Sequence, residues 1–146
     1  MAVTMDIGER DDIHPKNKRE VGRRLALCAL SKTYDRKEVE CWGPMYASMK
    51  VEGSSIRLSF DHARGLTSHG KALEHFMIAG ADQKFADARA KIDGESVVVS
   101  SDAVKDPLAV RYCFGAADEG TLFNAAGLPA PSFRTDTWRG LTQTSE

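Results

Sequence analysis

The sequence predicts an α+β chain in which a strand–loop–helix segment precedes an antiparallel β-sandwich. Three observations carry this. From Lys16 to Tyr34 most residues are good helix formers, whereas from Pro44 onward the hydrophobic period becomes two. Six short alternating runs follow, separated by breakers rich in Gly, Asp and Pro, which is the spacing of a sandwich. Between two of them stands Asp93-Gly94, a strong hairpin signal.

Residues 2–7 alternate and include β-branched members, so they are expected as a strand ending at Gly8. Glu9-Arg10-Asp11-Asp12 follows as a charged loop. Ile13-His14-Pro15 opens the predicted helix, with Pro15 suited to the first helical position because it has no N–H to leave unpaired. Val21, Leu25, Cys28 and Ala29 fall on one helical face. The run from Leu25 to Leu30 is apolar all round, which calls for packing on more than one side. Strands are expected over 46–52, 55–61, 72–79, 84–92, 96–101 and 109–114, a loop over 124–131, and a frayed end from Leu141.

Composition excludes several classes. With 146 residues and 16.0 kDa the chain suits one domain, or a small domain plus a remnant of another. Twenty basic residues against 21 acidic ones, a net charge of -1 and a pI near 6.4 argue against a nucleic-acid or anionic-membrane partner. No apolar run is long enough to span a bilayer, and the acidic first residues lack the apolar core of a signal peptide. Cys28, Cys41 and Cys113 are odd in number and scattered, so they suggest neither a disulfide framework nor a metal site. His62, His69 and His75 match no metal-ligand spacing. Lys16, Lys18, Arg19, Arg23 and Arg24 read as a solvated or domain-facing helix side. Trp42, Tyr46, Phe60, Phe76, Phe85 and Tyr112 are expected mainly as core, with a sugar-stacking platform as the functional alternative.

The densest polar constellation is Asp11-Asp12-Ile13-His14-Pro15. A histidine with a carboxylate two or three residues before it suits general-base chemistry, since the carboxylate can orient the imidazole and stabilise its protonated form. The structural alternative is that Asp12 or His14 caps the helix, with Asp11 and Glu9 complementing its positive end.

The string DIGERDDIHPKNKREVGRRLALCAL resembles the closing segment of the catalytic domain of bacterial sialate O-acetylesterases, serine esterases of the SGNH-hydrolase superfamily. GPMYASMKVEGSSIRLSF, FMIAGADQKFADARAKIDGESVVVSS and DPLAVRYCFGAADEGTLFNAAGLPAPSFRTD resemble the C-terminal region of the same proteins, so the likeness runs over residues 3–138. It implies that residues 1–36 are a strand, catalytic-histidine loop and helix left from an SGNH α/β hydrolase domain. Residues 37–138 would be the β-sandwich, and 139–146 a disordered tail. His14 would be the catalytic base. The superfamily's DxxH spacing assigns the orienting acid to Asp11, while the sialate esterases more usually carry it at the place of Asp12, and some relatives have no acid there. The implied substrate is an O-acetylated sialic acid or other acetylated sugar, with no cofactor or metal and a periplasmic or secreted location.

One departure matters. The family's nucleophile lies in a Gly-Asp-Ser or Gly-Gln-Ser motif near the start of its catalytic domain, and this chain has neither that nor a GxSxG elbow. Ser54, Ser55, Ser100 and Ser101 fall on predicted strands and turns. The chain by itself is therefore expected to be inactive, with the missing N-terminal esterase domain as its partner. The alternative is a non-catalytic β-sandwich that binds glycan or serves as a scaffold.

Overall fold

The computed structural model describes residues 1–139. Among these, helix α1 (Lys18–Lys32) precedes eight strands: β1 (Met45–Glu52), β2 (Ser55–Asp61), β3 (Phe76–Ala79), β4 (Ala86–Asp87), β5 (Arg89–Asp93), β6 (Ser96–Ser100), β7 (Ala109–Tyr112) and β8 (Phe133–Arg134). They form two antiparallel four-stranded sheets, ordered β1-β2-β6-β5 and β4-β3-β7-β8. The α+β sandwich expected from the sequence is the fold observed.

Alternation explains the core. In β2, Ile56, Leu58 and Phe60 are buried, and in β6 Val97 and Val99 meet them, with Ile56 opposite Val99 and Leu58 opposite Val97. The second sheet pairs Phe76 with Tyr112 and Ile78 with Val110. These side chains form one cluster. Hairpin β5–β6 turns at Gly94, whose φ of +60° is the left-handed region that glycine enters without steric cost. The Tyr112 hydroxyl, fully buried, accepts the amides of Thr121 (2.7 Å) and Leu122 (3.0 Å), tying the long β7–β8 connection to the core.

Several expectations are corrected. Residues 2–7 form no strand; they carry a turn in which the Ile7 amide donates to the Thr4 carbonyl. An isolated first strand has no neighbour with which to pair its backbone. The helix starts at Lys18 rather than at Pro15, because Asn17 takes the cap and accepts the Glu20 amide at 3.2 Å. Residues 84–92 divide into β4 and β5, which belong to different sheets. The strand over 72–79 shortens to β3, behind His75 at φ +63°. β8 had no periodic signal, being only two residues long. The tail expected over 139–146 lies, from residue 140, outside the described residues.

The helix is not packed all round. Leu25 and Leu30 are 56% and 38% exposed, and Ile13 in the preceding loop is 91% exposed. The basic side of the helix is not uniformly solvated either. Arg24 is only 4% exposed, and its guanidinium is held by Asp6, Glu20 and the Val3 carbonyl. No helix of the described residues is long and apolar enough to cross a membrane.

Candidate functional site

The His14 loop is built between two fixed ends. At one end Arg24 clamps the Asp6 carboxylate through two hydrogen bonds, of 2.6 and 2.8 Å. At the other, Asn17 caps α1. Between them the Asp12 amide donates to the Glu9 carbonyl (3.3 Å), and the Glu9 carboxylate accepts the Lys16 amide (2.8 Å). These local bonds curl residues 9–16 into a compact loop with its side chains on the surface.

Asp12 and His14 are brought together, but through the backbone. Asp12 Oδ1 accepts the His14 amide at 2.8 Å, an Asx-type turn. Asp12 therefore stabilises the loop, and neither it nor His14 caps the helix, because Asn17 does. The His14 imidazole and the Asp11 carboxylate are exposed, and neither has a hydrogen-bond partner among the described residues. No described serine hydroxyl bonds to the imidazole. Ser55 and Ser101 donate instead to the carbonyls of Glu52 and Asp87 in the sandwich. Chemically, the loop offers an accessible imidazole and, on the same short segment, two carboxylates, one without a hydrogen bond among the described residues and one with a single oxygen engaged by the His14 amide.

The electrostatics behind the loop are firmer. Glu20 bridges Arg23 and Arg24, and the Arg23 hydrogen bond, opposed by burial and reinforced by Arg24, holds its carboxyl down at about 2. A cleft of about 400 Å³ opens at the root of the loop, where Asp6 and Arg10 face His69, Lys71, Glu74, His75, Thr121 and Phe123.

A cleft of about 860 Å³ that shares no residue with the His14 loop lies where α1 meets the sandwich. There the Trp42 ring carries Lys32 Nζ 4.0 Å from its centroid and meets His62 edge to face at 5.1 Å. His62 Nδ1 contacts Glu40 Oε2 at 3.1 Å. Burial raises the Glu40 carboxyl, but hydrogen bonds from the Trp42 amide, His62 and the Cys41 amide outweigh it and leave the group below the usual range. Buried Asn124 locks this corner, donating to the carbonyls of Trp42 (2.9 Å) and His62 (3.1 Å) and accepting the amides of Ala126 and Leu128.

Sequence reasoning missed this grouping and the Asp6–Arg24 pair, since both join residues far apart in the chain. Of the aromatics, Phe60, Phe76 and Tyr112 are core, while Trp42, Tyr46 and Phe85 are partly exposed. His62 and His75 each meet a carboxylate, Glu40 and Asp118, and the described residues contain no cluster of three metal-ligating side chains.

No protein-family model and no curated protein matches the chain. Among solved structures it is similar to the crystal structure of a carbohydrate acetylesterase from Xanthomonas citri. The two are 45% identical, with a TM-score of 0.87, over 94% of this chain. The chain spans only 32% of that protein's chain.

Proposed function

We propose that this chain is the C-terminal part of a serine esterase that removes O-acetyl groups from sialic acid or a related acetylated sugar, with His14 as its catalytic base. The observation that carries the reading is the 45% identity, over 94% of the chain, to a carbohydrate acetylesterase. On this reading the nucleophile and oxyanion donors lie in polypeptide beyond these residues, in keeping with a likeness that spans 32% of that protein's chain. Residues 1–36 would then close the esterase domain and 37–138 form its sandwich. The exposed Leu25, Leu30 and Ile13 support this division, being apolar side chains suited to burial against further structure.

In the proposed reaction a serine Oγ attacks the acetyl carbonyl carbon while the His14 imidazole takes its proton. The tetrahedral adduct collapses, and the imidazolium returns that proton to the departing sugar oxygen. Water, deprotonated by His14, then attacks the acetyl-enzyme, releasing acetate and restoring the serine. Asp11 or Asp12 orients the ring. Asp11 has its whole carboxylate available, and Asp12 retains Oδ2 while Oδ1 holds the loop.

The test is His14→Ala in the longer protein, assayed on acetylated sialic acid and on an acetylated neutral oligosaccharide. A fall in kcat of about 10³-fold or more is expected. Near-normal turnover would overturn the assignment of His14, and preference for the neutral sugar would overturn the sialate reading. The Trp42 cleft favours a second reading, a non-catalytic glycan-binding module. Titration of this chain with oligosaccharides, with and without Trp42→Ala, tests it.

A further inference from the structure

Independently of the esterase reading, we infer that Cys28 and Cys41 are a cross-link site, a thiol pair that oxidises to a disulfide stapling α1 to the segment leading into β1. Cys28 lies on α1 and is partly exposed; Cys41 is 7% exposed in the connection between helix and sandwich. The Cys28 Sγ sits 3.8 Å from the carbonyl oxygen of Cys41, thirteen positions along the chain. Burial first, then the charge of the neighbouring Cys41 thiol, push the Cys28 thiol up. Cys113 is set apart, 5% exposed beside Tyr112, with burial pushing its thiol up to about 12. The three cysteines are therefore a pair and an inert single.

The partner residues give the pair a consequence. Cys41 is flanked by Glu40, which holds His62, and by Trp42, so a bond to Cys28 pins the wall of the Trp42 cleft to the helix. The same helix carries Arg24, which anchors the His14 loop through Asp6. The oxidant is a disulfide of the glutathione type. The partly exposed Cys28, as thiolate, attacks one of its sulfurs and releases a thiolate, giving a mixed disulfide. Cys41, as thiolate, then attacks Cys28 Sγ and releases the second thiolate. The protein loses two electrons and two protons, and the glutathione disulfide gains them as two thiols.

The experiment incubates the folded chain with glutathione disulfide at mildly alkaline pH, blocks remaining thiols, digests with trypsin and reads masses. The expected product is lighter than the reduced chain by about 2 Da, for two hydrogens. It joins peptide 25–32 to peptide 38–50 and leaves Cys113 unlinked. Its melting temperature should rise by about 10 °C and fall back on reduction. Cys28→Ser should lose the shift and Cys113→Ser should keep it. A stable glutathione adduct on Cys28, a link to peptide 112–134, or unchanged thiols with an unchanged melting temperature would each overturn the inference.

Discussion

Arg24 of α1 and Asp6 of the N-terminal segment form a bidentate ion pair, Nη1 to Oδ1 at 2.6 Å and Nη2 to Oδ2 at 2.8 Å, with side chains only 5% and 9% exposed. Taking both charges out of water is costly, and the geometry offsets that cost only while every donor is matched. Arg24 also donates to Glu20 and to the Val3 carbonyl, so one guanidinium ties the N-terminal segment to the helix.

Breaking the pair on one side should therefore be worse than losing both charges. Asp6→Asn or Arg24→Ala should cost about 3 kcal/mol or more in urea unfolding, by leaving a buried charge unmatched. Arg24→Lys should not rescue it, because an ammonium cannot present the two-pronged fork. Limited proteolysis should then cut within 8–16 first. Equal stability of Asp6→Asn and the parent chain would refute this account.

Glu20 predicts an acid limb. Its carboxyl is held at about 2 in the folded chain against an ordinary 4.5, so its contribution is complete above pH 4.5 and is lost as the pH falls toward 2. Asp136, lowered by Arg111, acts in the same direction. Stability measured across that range should decline in the parent chain and decline less steeply in Glu20→Gln. Parallel curves for the two proteins would remove Glu20 from the explanation.

Tyr112→Phe isolates one oxygen. The ring keeps its packing against Phe76, but the amides of Thr121 and Leu122 lose their acceptor. Orphaned buried donors make the expected loss about 1–3 kcal/mol. Amide exchange at 121 and 122 should accelerate selectively. Unchanged exchange there would mean that other acceptors replace the hydroxyl.

Gly43→Ala should separate the helix-side segment from the sandwich. A Cβ at Gly43 would sit 2.0 Å from the Pro129 carbonyl oxygen, a backbone atom held in place by the buried loop around Asn124. Either Pro129 or the Trp42–Pro44 stretch must move. A destabilisation of about 2 kcal/mol or more is expected, with a change in Trp42 fluorescence, as overpacking against backbone leaves little room to relax. A stable variant with unaltered fluorescence would show that the loop gives way freely.

What the sequence determined by itself is whatever short-range pattern encodes. Alternation in Ile56-Arg57-Leu58-Ser59-Phe60 and in the Val97–Val99 run placed β2 and β6, because period two assigns inner and outer faces without knowledge of the partner strand. Gly94 marked its hairpin, since its left-handed φ suits a residue without a Cβ. A likeness to a carbohydrate acetylesterase was also legible over most of the chain, though not the sialate-specific part of it. Tertiary structure decided what depends on a distant neighbour. The strand expected over 2–7 had no sheet to join and became a turn, the run over 84–92 was divided between the two sheets, and Phe133–Arg134 became a strand only because β7 offered it a free edge. Arg24 turned inward because Asp6, eighteen positions away, supplies a matching carboxylate. Cys28 found Cys41 because α1 folds back over its own exit segment. Such partners are set by where the chain returns in space, and no periodicity along it records that return.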